Sequence, residues 1–206
     1  MMQHPAPGTV YIIDDDDDFR DSMQWLLESA SLKVAGFDSA QAFLDEYEGE
    51  LGCLLLDVRM PEINGLALQQ ILRMRGINLP TIVMTGHGDI PMAVSAMKNG
   101  AVDFLEKPFD DEVLLQLVNQ ALAQAAKLQQ SQAQASQVHD SYAQLSRREK
   151  EVMALVVEGQ SNREIAETLG ISPKTVEVHR SRVMGKMRAG SIAELVQQAA
   201  RLNPSA

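Results

Sequence analysis

The chain has 206 residues, 45% of them hydrophobic, with a formal net charge of −10 and one cysteine. That length favours two domains over one, and Cys53, alone and within an apolar run, excludes an internal disulfide and reads as core. No apolar stretch approaches the roughly 18 residues of a membrane helix, and Met1 to Val10 lacks the apolar centre of a signal peptide, so a soluble protein of the cytoplasm is expected.

Charge divides the chain. Residues 1–126 carry 20 acidic and 7 basic side chains, whereas 127–206 carry 8 acidic and 11 basic. A uniformly acidic protein is repelled by DNA, but a separate, mildly basic segment can supply phosphate contacts.

In the first segment, apolar β-prone runs alternate with amphipathic stretches, the pattern of a parallel sheet covered on both faces by helices. The predicted strands are Val10 to Ile13, Lys33 to Phe37, Cys53 to Leu56, Thr81 to Met84 and Val102 to Leu105. Between them, Met23, Leu26 and Leu27, then Leu66, Leu68, Ile71 and Leu72, recur at helical spacing. Gly65, Gly76, Gly86, Gly88 and Gly100 punctuate the connections. The expected fold is a five-stranded, doubly wound α/β domain over residues 1–126.

Four features fall where these strands end: an acid run from Asp14 to Asp18, then Asp57, Thr85 and Lys107. Open α/β sheets bind ligands at such edges. Carboxylates, a hydroxyl and an ammonium suit a divalent cation and a phosphoryl group, because hard oxygens hold Mg²⁺ while Lys offsets phosphate charge. The implied chemistry is phosphoryl capture on Asp57. Within the acid run, Asp14 and Asp15 directly follow the strand. Asp17 and Asp18 fall in a first helical turn, where acids are stabilised by the helix dipole.

From Phe109 to Glu158 there is neither Gly nor Pro, and residues 127–141 form a Gln- and Ala-rich linker. Gln-rich segments are often disordered, yet Ala, Gln, Leu and Lys are strong helix formers, which favours continuation of the preceding helix. The expected third part, 142–206, is an all-α four-helix domain. Ser146 to Glu149, Ser161 to Glu164 and Ser191 to Glu194 all read as S-x-x-E capping boxes. Ser172-Pro173 opens a further helix with a capping Ser and a Pro at the first helical position. The short Gly170-containing joint before it makes a helix-turn-helix. On that helix, Pro173 to about Arg188, Val176, Val183 and Met187 form a packing stripe. The opposite side carries Lys174, Glu177, Val178, Ser181 and Gly185, with Arg182 and Arg188 on its flanks, and an apolar Val there suits a thymine methyl in the major groove. His179 lies nearer the packed stripe and reads as structural or phosphate-contacting.

These residues carry a resemblance. Ile12-Ile13-Asp14-Asp15, Leu56-Asp57-Val58-Arg59-Met60-Pro61, Asn64-Gly65, Met84-Thr85-Gly86 and Phe104-Leu105-Glu106-Lys107-Pro108 resemble bacterial two-component receiver domains. Leu145-Ser146-Arg147-Arg148-Glu149, Glu158-Gly159, Asn162 to Ala166 and Lys174 to His179 resemble LuxR-type DNA-binding domains. Together they resemble the FixJ/NarL class of response regulators. The resemblance implies that Asp57 takes a phosphoryl group from a sensor histidine kinase, and that Asp14, Asp15, Asp57 and the carbonyl of Arg59 hold Mg²⁺ or Mn²⁺. It implies that Lys107 and Thr85 meet phosphate oxygens, that Phe104 turns inward behind Thr85, and that Lys107-Pro108 is cis. It further implies a homodimer on phosphorylation, binding to promoter DNA through Lys174, Thr175, Glu177, Val178, Ser181 and Arg182, and contact with RNA polymerase.

Two rival readings remain at the level of sequence. Asp14-Asp15-Asp16 resembles the D-x-D start of haloacid-dehalogenase-type phosphohydrolases, but Asp18 stands where that family has Thr or Val, and no acidic pair follows Lys107 at a strand end. A DNA-binding protein with an inert first domain is the other, against which the Asp57, Thr85 and Lys107 set argues.

Overall fold

Runs such as Val10 to Ile13 and Cys53 to Leu56 are apolar at every position, which suits strands buried on both faces. The computed structural model, which describes residues 8–86 and 90–202, folds them so. Gly88 and the segment 1–7, part of the signal-peptide reading, lie outside the described residues. The strands β1 (Thr9–Ile13), β2 (Lys33–Phe37), β3 (Gly52–Asp57), β4 (Thr81–Thr85) and β5 (Asp103–Glu106) form one parallel sheet in the order β2-β1-β3-β4-β5. Helices α1 (Asp17–Ser29), α2 (Ala40–Glu46), α3 (Gly65–Met74), α4 (Ile90–Lys98) and α5 (Asp111–Ala143) make the connections.

The two-residue period of a strand divides the core into faces. Val10, Ile12, Cys53, Leu55, Ile82 and Met84 pack with Met23 and Leu27 of α1 and Leu114, Val118 and Leu122 of α5. Tyr11, Ile13, Leu54 and Leu56 face the other way, onto Phe43 of α2 and Leu68 and Leu72 of α3. Cys53 is fully buried, and burial alone pushes its thiol up to about 12, so it is packing material and not a nucleophile. The predicted fifth strand is displaced by one residue: Val102 donates its amide to Thr81 at 2.7 Å, but regular strand geometry begins at Asp103. Asp57 and Thr85 are the last residues of their strands and so lie within the sheet's edge.

The chain divides into two compact units between Gln129 and Gln130. Helix α5 is continuous through the Gln-rich segment, as its composition favours. Val138, placed in the linker from sequence, is buried in the second unit's core, because the apolar face of the helix resumes there.

In that second unit, α6 (Arg147–Val157), α7 (Asn162–Leu169), α8 (Pro173–Met187) and α9 (Ile192–Leu202) surround Val152, Met153, Val156, Ile165, Val176, Val183, Met187 and Leu195. Ser146/Glu149 and Ser161/Glu164 are reciprocal capping boxes. The third is not. Ser191 accepts from the Glu194 amide at 3.2 Å, but the Glu194 carboxylate reaches one residue further back, to the amide of Gly190 at 2.8 Å. Gly190 thus offers its own free donor in place of Ser191. Gly170 closes α7 at φ +66°, a left-handed conformation that favours Gly, and Ser172 opens α8 by accepting from Thr175 with Pro173 in the first turn. Arg188, read as the end of α8, is its C-cap.

Glu149 also ties α6 to α8. Its carboxylate, 3% exposed as a residue, accepts from Lys186 Nζ at 2.7 Å and from the Ser146 amide at 2.7 Å. The Lys186 hydrogen bond, followed by that of Ser146, holds the carboxyl down from 4.5 to about 2. A group depressed in the folded state stabilises fully above its unfolded value, and that stabilisation is lost as the pH falls through its folded value. The window here runs from about pH 4.5 down to about 2. A carbon-13 titration of the glutamate carboxyls should find Glu149 the last to protonate, and Lys186→Met should raise its midpoint; an unshifted midpoint in that variant means Lys186 is not the cause.

Candidate functional site

With the order β2-β1-β3-β4-β5, the chain reverses its winding direction between β1 and β3, and the crevice outside their carboxyl ends is where such sheets bind ligands. Asp14 follows β1 directly and Asp57 ends β3, so one carboxylate flanks each side of that crevice. They are only 1% and 6% exposed. Two carboxylates so placed repel unless a cation lies between them, and Lys107, beyond the end of β5, supplies it. Its Nζ donates to Asp14 Oδ2 at 2.6 Å and to Asp57 Oδ1 at 2.8 Å. The other oxygens are held by the backbone: the Asp16 amide donates to Asp14 Oδ1 at 3.0 Å, and the Arg59 amide to Asp57 Oδ2 at 2.6 Å.

Burial raises the Asp14 carboxyl above the ordinary aspartate value, opposed by the hydrogen bonds from Lys107 and the Asp16 amide. For Lys107, burial works against the ammonium, but the hydrogen bonds and negative charge of Asp14 and Asp57 outweigh it and the net shift is upward. The cation is therefore fixed at physiological pH.

Other predicted residues are placed as follows. Thr85 is wholly buried, and its carbonyl accepts from the Lys107 amide at 2.8 Å, which fixes the chain on entry to the cis Lys107-Pro108 bond. Phe104, opposite Val83 in the β4–β5 register, is half-buried against Val58, Val83, Ala96 and Ala101. Asp15 is exposed on the loop after Asp14, and the side chain of Arg59 is exposed while its amide binds Asp57. Asp16 caps α1 by accepting from the Phe19 amide at 3.1 Å, and Asp17 and Asp18 occupy the first turn. A carboxylate committed to a helix cap does not suit the second acid of a phosphohydrolase D-x-D.

Two supporting residues, Phe19 and Arg20, escape sequence reasoning, and a third, Gly65, is legible only as a turn residue. The ring of Phe19 lies 3.7 Å below Lys107 Nζ, a cation–π contact. Arg20 donates to the carbonyl of Asp14 at 2.8 Å. At Gly65 a Cβ would stand 2.2 Å from the carbonyl oxygen of Asp57, so the loop after β3 returns this closely only as Gly. The Gly65 amide also bonds Val58 at 3.0 Å. Phe19 and Arg20 directly follow the acid run, at i+5 and i+6 from Asp14, the one signal that could have found them.

Among the described residues no three acidic, His or Cys side chains close into a metal cage. The donors are two buried carboxylates, with exposed Asp15 next to Asp14 in the chain, hard oxygens with more negative charge than Lys107 offsets. That set fits Mg²⁺, which is bound through one or two carboxylates, waters and phosphate oxygens and not by an all-protein cage.

In the second unit, α8 buries Val176, Val183 and Met187. It leaves Lys174, Thr175, Glu177, Val178, Ser181 and Arg182 exposed, with Val178 45% exposed. Sequence reasoning did not single out Arg180, whose guanidinium donates to Asn162 Oδ1 at 2.8 Å and bridges α8 to the start of α7. Arg148 donates to the Leu169 carbonyl at 2.6 Å, securing the end of α7 before the turn. His179 is half-buried, and its Nδ1 has no partner among the described residues.

Comparison with known proteins bears on both units. Residues 10–119 match the response regulator receiver domain, and residues 143–199 match the bacterial regulatory proteins of the luxR family. The transcriptional regulatory protein FixJ of Bradyrhizobium diazoefficiens is 48% identical over 195 residues, covering 94% of this chain and 95% of its own. Among solved structures, the response regulator StyR is similar with a TM-score of 0.83 at 40% identity, covering 94% of this chain and 98% of that one. Full-length FixJ from B. japonicum gives 0.58 at 46% identity, covering 98% and 100%. The chain therefore belongs to the two-component response regulators that join a receiver domain to a luxR-family DNA-binding domain, and it is a FixJ-like transcriptional regulator.

Proposed function

We propose that Asp57 is the phosphoryl acceptor of this regulator, that its donor is the phosphohistidine of a sensor histidine kinase in the cytoplasm, and that the phosphorylated receiver promotes dimerisation and promoter binding. The observation that carries this reading is Lys107 spanning Asp14 and Asp57 at the switch point of the sheet. A carboxylate oxygen of Asp57 attacks phosphorus; the P–O bond forms as the P–N bond breaks, and the imidazole leaves with the electron pair and takes a proton from solvent. Asp57 is pre-oriented for this, because the Arg59 amide holds one oxygen and Lys107 the other. Charge accumulates on the phosphoryl oxygens, and Lys107 is the adjacent cation. Asp14, Asp15, Asp57 and the Arg59 carbonyl would hold Mg²⁺ or Mn²⁺, which neutralises phosphoryl charge when bound.

Thr85, at the end of β4, would meet a phosphate oxygen, and Phe104 would follow it inward. The Ile90 to Ala126 half carries exposed Val94, Met97 and Val113, apolar surface that suits self-association. Beryllofluoride, a phosphoryl mimic, should therefore shift the full chain from monomer towards dimer in sedimentation; an unchanged monomer fraction would remove dimerisation from the mechanism. Two subunits would set two α8 helices on neighbouring half-sites, with RNA polymerase as the next partner.

Incubation with Mg²⁺ and acetyl phosphate separates the rival readings. A stoichiometric, slowly decaying aspartyl phosphate is expected. Continuous rapid turnover favours a phosphohydrolase, and no labelling an inert domain.

A further inference from the structure

Where β4 begins at Thr81, at the opposite end of that strand from Thr85, the receiver holds a second cavity of about 410 Å³. That volume lies within the range of small-molecule sites. Leu72, Leu79 and Leu128 give it an apolar wall. Its charged lining is Arg73 and Lys98, with no carboxylate, although residues 1–126 carry 20 acidic side chains against 7 basic. Neither cation forms an ion pair among the described residues. Two amides complete the lining. Gln69 is 5% exposed, and its Oε1 is buried without a hydrogen-bond partner among the described residues, as is Nδ2 of Asn99.

Arg73 and Lys98 stand in the last turns of α3 and α4, where cations are stabilised by the helix ends. That accounts for two positive charges. It does not account for an unpaired acceptor and an unpaired donor buried beside them, since buried polar groups are normally satisfied. The acidity of the rest of the domain does not forbid an anion here, because charges are screened beyond about 8 Å at physiological ionic strength.

We propose that this cavity is a second ligand site of the receiver, separate from the Asp57 edge, and that it takes a small organic carboxylate with an apolar body and a hydroxyl donor. The carboxylate meets Arg73 and Lys98, the body covers the leucine wall, and the hydroxyl supplies the donor that Gln69 lacks.

3-Hydroxybenzoate carries all three features, its hydroxyl too far from the carboxylate for an internal hydrogen bond, and serves as the probe. Titrated calorimetrically into the full-length chain, it should bind one site with saturation, shift the amide resonances of Gln69, Thr81 and Asn99, and leave the Asp57 edge unmoved. Neutral 3-hydroxybenzamide should bind far more weakly. Arg73→Ala, at an exposed position, should weaken binding of the probe by roughly tenfold or more, the loss of one charge-assisted hydrogen bond. Gln69→Leu should also weaken it while the thermal midpoint holds or rises, because a buried unpaired acceptor is removed. Absence of saturation, resonance shifts centred on Asp57, or equal affinity in Arg73→Ala and Gln69→Leu to that of the wild type would each overturn the proposal.

Discussion

Asp57→Asn is expected to fold and to take up no phosphoryl label from acetyl phosphate, against stoichiometric labelling of the wild type. An amide cannot form the acyl phosphate, so the loss is complete and not a matter of degree. The environment adds a second effect. Both Asp57 oxygens face donors, Lys107 Nζ at 2.8 Å and the Arg59 amide at 2.6 Å. The Asn side chain has one acceptor oxygen and one NH₂ group, so one of those donors must oppose a donor. Leaving a buried hydrogen-bond partner unsatisfied costs about 1–3 kcal/mol, and the variant should unfold at correspondingly lower denaturant. Lys107 keeps Asp14 as a partner, which limits the damage. Undiminished labelling in a mass measurement of the intact variant would take Asp57 out of the mechanism.

The parts of this site legible in sequence are those set by local rules. A continuous apolar run ending in Asp57 places a carboxylate at a sheet edge whatever the rest of the chain does. The same logic finds Asp14, Thr85 and Lys107. What sequence does not give is the pairing: Lys107 lies 50 residues from Asp57 and 93 from Asp14, and only the strand order brings them within hydrogen-bond reach. Gly65 is legible as a turn residue, but the need for Gly arises from the Asp57 carbonyl against which the loop closes. The caps show the same division. Ser146 and Ser161 follow the pattern S-x-x-E to the reciprocal bond, whereas at Ser191 a neighbouring Gly190 amide competes for the carboxylate and wins. Val138 is obscured by composition: among Gln and Ala it reads as spacer, and its burial follows from the helices folded against it.

On α8, positioning and readout should fail in different ways. Val176, Val183 and Met187 fix which side is buried, so the rotation of the helix follows from its core packing and leaves Glu177, Val178 and Arg182 exposed. In the proposed docking, Arg182 on the flank of that outer face would reach a phosphate, while Glu177 and Val178 would face the groove floor. Arg182→Ala should therefore weaken all DNA sequences alike and lower the salt slope by roughly one, because about one counterion fewer is released for each phosphate the protein no longer neutralises. Glu177→Ala should change which sites are chosen. A carboxylate accepts from a cytosine amino group, and one good base contact contributes about 1–3 kcal/mol of discrimination, so preference at a single base pair should fall by roughly tenfold or more while others keep their ranking. The measurement is binding of the beryllofluoride-treated chain to single-base operator variants at several salt concentrations. A uniform loss in Glu177→Ala, together with altered base preference in Arg182→Ala, would mean that α8 enters the groove rotated from the orientation its buried stripe implies.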